Sequence, residues 1–287
     1  MRSIRVRTPA KINLFLRVVG LRADGYHDIE TLFQAIELYD ELVIHESAES
    51  TRLEVPAHPE VETEDNLVLR AHRWLERETE RNLPCRIVLK KKIPVAAGLG
   101  GGSSNAAAAL LGITALFDLH LTDESLHAAA GRLGADVAFF LTGGTALGEG
   151  IGDRLTRIEI PTDYGLILAN PGSSVSTRAI YAEFDRTLTM GRAHDSLTEM
   201  LRESVRAEDL LHNDLQPVAE ALHPEIAAIA VGLERAGARK ALMTGSGPTV
   251  FGIADADPDR LRHIRDALPG SWNPVESWPS SQGILID

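Results

Sequence analysis

The densest chemical signal in the chain is one run: Pro94-Val95-Ala96-Ala97-Gly98-Leu99-Gly100-Gly101-Gly102-Ser103-Ser104-Asn105. Glycine fills four of the five positions from 98 to 102. Backbone N–H groups can therefore converge on one point without Cβ atoms in the way. Ser103 and Ser104 follow at the expected start of a helix, where free N–H groups and a partial positive charge suit a phosphate. The hydroxyl of Ser103 or Ser104 can also hold Mg²⁺ there, with Ser104 the first candidate. The loop is not a Walker A motif, because the chain contains no Gly-Lys pair. Nor is it a dinucleotide fingerprint. Ser103 stands where the third glycine belongs, and no acidic ribose ligand ends a following strand.

Two shorter segments add to it. Gly245-Ser246-Gly247 is a second turn rich in backbone donors. Tyr26 and His27 follow a turn at Asp24-Gly25, and an exposed aromatic beside an imidazole can stack on a base while the imidazole bonds its edge. The histidines show no His-Glu-x-x-His or other metal-ligand spacing. The single cysteine, Cys85, excludes an internal disulfide and a cysteine-based zinc site. Its place in a strand-like run predicts a buried, inert thiol.

The elements that must position these groups can be read from periodicity and punctuation. Alternation over residues 4–7, an extended pattern over 12–19 and an apolar run at 42–44 predict strands. A helix is expected over 66–81, capped by Asp65 or Asn66, and a strand over 86–90. The glycine loop leads into a helix over 103–117, whose alanine run is a strong helix former. Thr122 caps a helix ended by Gly134. Residues 143–152 read as a hairpin, 164–169 as a strand, 218–235 as one long helix, 241–253 as strand, turn and strand, and 259–268 as a last helix. With no regular βαβ series, the class is α+β with largely antiparallel sheets. A domain boundary is expected near residue 160, giving units 1–160 and 161–287.

Bulk properties narrow the partners. The 29 basic and 41 acidic residues give a formal charge of −12, which repels a polyanion, so no nucleic-acid partner is expected. No stretch approaches the roughly 18 apolar residues of a membrane span, and the charged, alternating start of the chain is unlike a signal peptide. A cytoplasmic protein without a membrane partner is expected. Nothing in the sequence sets an oligomeric state.

The loop resembles that of the GHMP kinases (galactose, homoserine, mevalonate and phosphomevalonate kinases). Three more segments carry the resemblance: Pro9-Ala10-Lys11-Ile12-Asn13-Leu14, Arg22-Ala23-Asp24-Gly25-Tyr26-His27 and the run from Met243 through Thr244, Gly245, Ser246, Gly247, Pro248, Thr249 and Val250 to Phe251. The resemblance implies a two-domain architecture, with an N-terminal ATP-binding domain like ribosomal protein S5 domain 2 and a ferredoxin-like C-terminal domain. It implies an ATP-dependent, Mg²⁺-assisted kinase whose small-molecule substrate carries a cytidine diphosphate group. The other readings are a homoserine- or mevalonate-type kinase, or a nucleotide-binding relative without catalysis.

Residue by residue, the resemblance makes Lys11 and Asp136 the catalytic pair. Read alone, Lys11 is an exposed strand charge and Asp136 a cap. It assigns ATP binding to the loop residues Pro94, Val95, Ala96, Ala97, Gly98, Leu99, Gly100, Gly101, Gly102, Ser103 and Ser104, with Asn66 and Leu67 beside the adenine. Substrate binding falls to Asn13, Tyr26, His27, Thr177, Tyr181, Gly245 and Ser246, with Tyr26 and Tyr181 stacking on the base. Lys90, Lys91 and Lys92 read equally as a solvated strand end or as positive charge for the nucleotide. Ala138 departs from the family's usual proline, so a looser turn after Asp136 is expected.

Overall fold

The computed structural model describes residues 2–187, 197–201 and 206–287. The chain opens with two long strands, β1 (Ser3–Leu21) and β2 (His27–Glu46), then β3 (Arg52–Glu54), helix α1 (Leu67–Thr79) and β4 (Cys85–Lys90). Helices α2 (Gly101–Leu116), α3 (Asp123–Leu133) and α4 (Val137–Thr142) follow, then the hairpin β5 (Thr145–Glu149) and β6 (Arg154–Arg157). Next come β7 (Tyr164–Ala169), α5 (Thr177–Thr187), α6 (Leu197–Met200), β8 (His212–Asn213), α7 (Gln216–Leu222), α8 (Glu225–Ala236), β9 (Lys240–Met243) and β10 (Val250–Asp255). The last elements are α9 (Pro258–Asp266), β11 (Val275–Ser277) and β12 (Leu285–Ile286).

Two sheets result. The first runs β12-β1-β2-β4-β3, with β5 also on β2, β6 on β5 and β8 on β1; the second runs β11-β7-β10-β9. Every pairing in the second sheet is antiparallel, and in the first only β8 and β3 pair in parallel. The architecture is the expected α+β.

Side-chain alternation places the layers. In β7, Tyr164, Leu166 and Leu168 join a core shared with Ile12, Leu14, Leu32 and Ile36 of the first sheet. Ile167 and Ala169, one residue out of step, pack with α5, α7, α8 and α9. That period of two, buried on both faces, explains why the segment reads as an uninterrupted apolar run. On the far side of the first sheet, α1 to α4 cover Val6, Ile44 and Ile87. Helix α2 lies at the centre, with Ala106 through Leu110 fully buried.

Local signals explain most element ends. Asn66 caps α1 by accepting from Val68 N at 2.9 Å, and Thr122 caps α3 by accepting from Ser125 N at 3.1 Å. Three expectations are corrected. The long helix is two, α7 and α8, because Pro224 cannot continue an i→i−4 ladder. Helix α2 starts at Gly101, two residues before Ser103. Helix α5, which follows Ser176, lies where no helix was expected. Cys85 is fully buried, and burial pushes its thiol up to about 12. Among the described residues no helix is long and apolar enough to cross a membrane.

Gly112 marks the tightest helix–sheet approach. A Cβ there would lie 2.8 Å from both Ile44 Cδ1 and Val6 Cγ2. Replacing glycine inside a helix ordinarily gains up to about 1 kcal/mol, whereas overpacking a core costs about 1–3 kcal/mol. The second effect dominates here. Gly112→Val is expected to lower the urea unfolding midpoint by an amount equivalent to about 1–3 kcal/mol.

Candidate active site

The pleat of β1 turns Ile12 and Leu14 into the inter-sheet core and Lys11 and Asn13 to the opposite face. Register shifts on either side of this stretch, at Pro9/Ala10 and Asn13/Phe15, re-aim it locally. Lys11 is 4% exposed, so it is not the exposed strand charge that alternation suggests. Its Nζ donates to Asn13 Oδ1 at 2.7 Å and lies 3.5 Å from Asp136 Oδ2 and 5.5 Å from the Phe33 ring centroid. Asp136 sits at the start of α4 and makes no capping hydrogen bond. Its side chain is 32% exposed, so one carboxylate faces both a buried cation and open space. The turn before it is closed by Val137 N donating to Gly134 O at 3.1 Å. Ala138 lies in the first turn of α4, where an N–H has no partner within the helix, so alanine and proline fit alike and no looser turn results.

The glycine loop is strapped to the same strand. Lys11 N donates to Leu99 O at 3.0 Å. Gly98 and Gly100 adopt φ of +77° and +70°. A Cβ on Gly98 would fall 2.4 Å from Thr244 O, and one on Gly100 would fall 2.8 Å from Phe140 Cζ and 3.0 Å from Lys11 Cγ. Both positions therefore demand glycine for conformation and for space. Because α2 begins at Gly101, its first unpaired N–H groups belong to Gly101, Gly102 and Ser103, while Ser104 N already bonds Gly100 O at 2.9 Å.

These amides face a cleft of about 470 Å³. The loop lines it from Pro94 to Gly98 and from Gly100 to Ser103, with Asn66, Leu67 and Lys91 around it. Asn66 lines the cleft while its amide donates to Val61 O at 2.8 Å, in addition to capping α1. Of the three lysines, Lys90 is paired on the surface with Glu41 at 2.6 Å, and Lys91 turns inward to Asp40 and Asn105. A larger depression of about 1000 Å³, lined by Arg70, Arg73, Arg77 and Arg132, lies beyond Asp65 and contains none of the loop.

Two expected loop roles are corrected. The Leu99 side chain is 1% exposed and packs in the inter-sheet core, so that residue contributes its carbonyl to Lys11 and not a side chain to the cleft. Ser104 is fully buried. Its hydroxyl donates to Pro9 O at 2.5 Å and touches that of Thr8, which also donates to Ser104 O at 2.8 Å. Ser104 therefore pins α2 to β1 and offers nothing to a metal; the hydroxyl that lines the cleft is that of Ser103. Among the described residues no three His, Cys, Asp or Glu side chains converge as metal ligands.

The other side of Lys11 is built by the second turn and α5. A Cβ on Gly245 would lie 3.5 Å from Lys11 Nζ and 3.6 Å from Asn13 Oδ1. Ser246 and Thr177 join hydroxyls at 2.8 Å, tying the turn to the start of α5. One turn further along α5, Tyr181 stacks on His27, with ring centroids 4.7 Å apart at 27°. Burial pushes the Tyr181 phenol well above its ordinary value, and the carboxylates of Asp136 and Asp214 push it the same way. Tyr26 is 62% exposed at the β1–β2 hairpin end. His27, the first residue of β2, points back over α5 and covers one face of the Tyr181 ring.

Several positioning residues escape a sequence reading. Thr244 Oγ1 accepts from Asn13 N at 3.0 Å and donates to Asn13 Oδ1 at 3.2 Å. Asn213 Nδ2 donates to Met243 O and Gly245 O, both at 2.8 Å. Asp40, fully buried, accepts from Lys92 N at 2.7 Å, Ile93 N at 2.9 Å and Asn105 Nδ2 at 2.9 Å. The faint signal was polarity inside apolar surroundings, as at Thr244 after Ala241, Leu242 and Met243.

The two serines of the loop provide a test of this geometry. Ser104→Ala removes the donor to a buried carbonyl and is expected to cost about 1–3 kcal/mol. Ser103→Ala is expected to stay within about 0.5 kcal/mol of the parent. Parallel urea titrations measure both, and equal losses would contradict the assignment of Ser104 to the fold and Ser103 to the cleft.

Comparison with known proteins supplies the family. Residues 66–144 match the GHMP kinases N terminal domain and residues 193–273 the GHMP kinases C terminal domain. The chain is 42% identical over 272 residues to the 4-diphosphocytidyl-2-C-methyl-D-erythritol kinase of Syntrophus aciditrophicus, covering 94% of this chain and 96% of that one. It is 42% identical to that of Moorella thermoacetica over 265 residues, covering 90% and 92%. A crystal structure of 4-(cytidine 5'-diphospho)-2C-methyl-D-erythritol kinase superposes with a TM-score of 0.82 at 33% identity, covering 96% of this chain and 99% of the other. With a glycine-loop cleft on one side of Lys11 and relatives this similar along almost the whole chain, the protein belongs to the GHMP kinase family of ATP-dependent small-molecule kinases.

Proposed function

We propose that this chain transfers the γ-phosphoryl group of ATP to a hydroxyl of 4-diphosphocytidyl-2-C-methyl-D-erythritol, giving the 2-phosphate and ADP in non-mevalonate isoprenoid precursor biosynthesis. The observation that carries this reading is the position of the Lys11–Asp136 pair. It stands between amides suited to phosphate and an aromatic–imidazole surface suited to a base. The names of the 42% identical relatives support the choice of acceptor.

Asp136, the more exposed partner, accepts the proton of the acceptor hydroxyl as its oxygen bonds the γ-phosphorus and the bond to the β-phosphate oxygen breaks. Lys11 neutralises charge that grows on the transferred group, from a buried site where that charge is weakly screened. Asn13 and Thr244 keep the ammonium in place. The helix-start amides of Gly101, Gly102 and Ser103 hold phosphate oxygens. Ser103 Oγ and Asp136 are the protein groups that would hold Mg²⁺. When bound, the ion would neutralise phosphate charge. Leu67 and Asn66 flank the adenine end of the cleft, and Tyr26, His27, Thr177, Tyr181, Gly245 and Ser246 form the acceptor side. The division of the chain at residue 160 belongs to this proposal. It is supported by the second sheet, whose strands all follow that point, although β8 and β12 cross back to the first.

Asp136→Asn is expected to lower kcat by at least about 10²-fold while ATP affinity changes little. An unchanged kcat in a folded variant would remove Asp136 from the mechanism. Methylerythritol phosphate, which lacks the cytidylyl group, is expected to be a poor acceptor, with kcat/KM lower by at least about 10²-fold. Equal kcat/KM for the two acceptors would overturn the cytidine part and leave a kinase of another acceptor.

A further inference from the structure

Tyr181 and Asp185 are four residues apart in α5, so both side chains leave the helix on one face. That face meets the start of β2. The Tyr181 ring stacks on His27, and Asp185 Oδ1 lies 2.8 Å from His27 Nε2. Neighbouring carboxylates at the hairpin end are already engaged: Arg22 holds Asp24 at 2.9 Å and Asp28 at 3.2 Å. Asp185 is left for the imidazole. The second ring nitrogen, Nδ1, has no protein partner among the described residues and is not sealed from solvent.

An ionised carboxylate accepts hydrogen bonds and cannot donate them. The proton of a neutral His27 is therefore held on Nε2, and Nδ1 presents a lone pair. The pyrimidine bases differ at the position such a lone pair can read. Cytosine carries an amino group at position 4, a donor, where uracil and thymine carry a carbonyl, an acceptor. We propose that Asp185 is a specificity-determining positioning residue: by fixing the proton on His27 Nε2 it leaves Nδ1 as an acceptor for the 4-amino group, so that a cytidine acceptor is taken and a uridine acceptor refused. The role rests on the cytidine reading above and extends it to Asp185.

The test uses the full-length enzyme with two acceptors that differ in the base, the cytidine diphosphate substrate and its uridine counterpart. Wild type is expected to favour cytidine by about 5- to 150-fold in kcat/KM, the range for one hydrogen bond lost with its acceptor left unpaired. In Asp185→Asn the amide can donate to Nε2 or accept from it, so either tautomer is allowed. The preference is expected to collapse toward unity through KM, with kcat on saturating cytidine acceptor within about twofold of wild type. Asp185→Glu, which remains an acceptor only, is expected to recover most of the preference. The ¹⁵N shifts of His27 supply a readout that a merely structural role would not move: one tautomer in wild type and a mixture in Asp185→Asn. A selective wild type whose ratio survives in Asp185→Asn, or a variant that loses both acceptors equally, overturns the role of Asp185 alone. A wild type indifferent to the base removes the cytidine reading and this role with it.

Discussion

A carboxylate with no access to solvent, Asp40 at the middle of β2, fixes the frame in which everything else works. Burying a charge is costly unless it is paired and hydrogen-bonded. Asp40 meets that condition by collecting the Lys91 ammonium, the amides of Lys92 and Ile93 and the Asn105 side chain. Those partners are the chain entering the glycine loop and the helix leaving it. One buried charge thus fastens both ends of a segment whose glycines resist disorder poorly. The middle of the loop is held by Lys11 N on Leu99 O, and the first turn of α2 by Ser104 on Pro9. The loop is therefore prepared in shape, which reduces the ordering that binding at it would impose.

The Lys11–Asp136 pair is asymmetric in a useful way. The ammonium is sunk to 4% exposure with Asn13 at 2.7 Å, whereas the carboxylate is 3.5 Å away and open on its outer side. A charge-assisted contact at its ordinary length would lie near 2.7–2.9 Å. The looser pair leaves the carboxylate free to accept from a third group. The cation belongs to the fold, since the strand, the loop and the Gly245 turn all close upon it.

Much of this was legible in the residues and some was not, for physical reasons that differ by case. The strand Tyr164–Ala169 and the caps Asn66 and Thr122 follow from local patterns that tertiary contacts did not override. The glycine loop could be read because glycines at positive φ have few other uses. Lys11 misleads when read alone, because alternation gives the face of a strand and not what covers that face. Ser103 and Ser104 are adjacent and chemically alike. Their opposite fates depend on where α2 begins, which is Gly101 and not Ser103. Asp40, Asn213 and Asp185 act across 52, 32 and 158 positions of chain, and no local period reports such partners.

The two-faced burial of β7 has a consequence for how the molecule holds together over time. Tyr164, Leu166 and Leu168 complete the core of the first sheet, while Ile167 and Ala169 anchor the helices of the second. Neither half of the chain can be lifted away without stripping one side of this strand. Local opening of the C-terminal half would expose the floor beneath Lys11 and the glycine loop at once. The two halves therefore form a single cooperative unit, in which amide exchange at β7 should track global unfolding and not a partial opening.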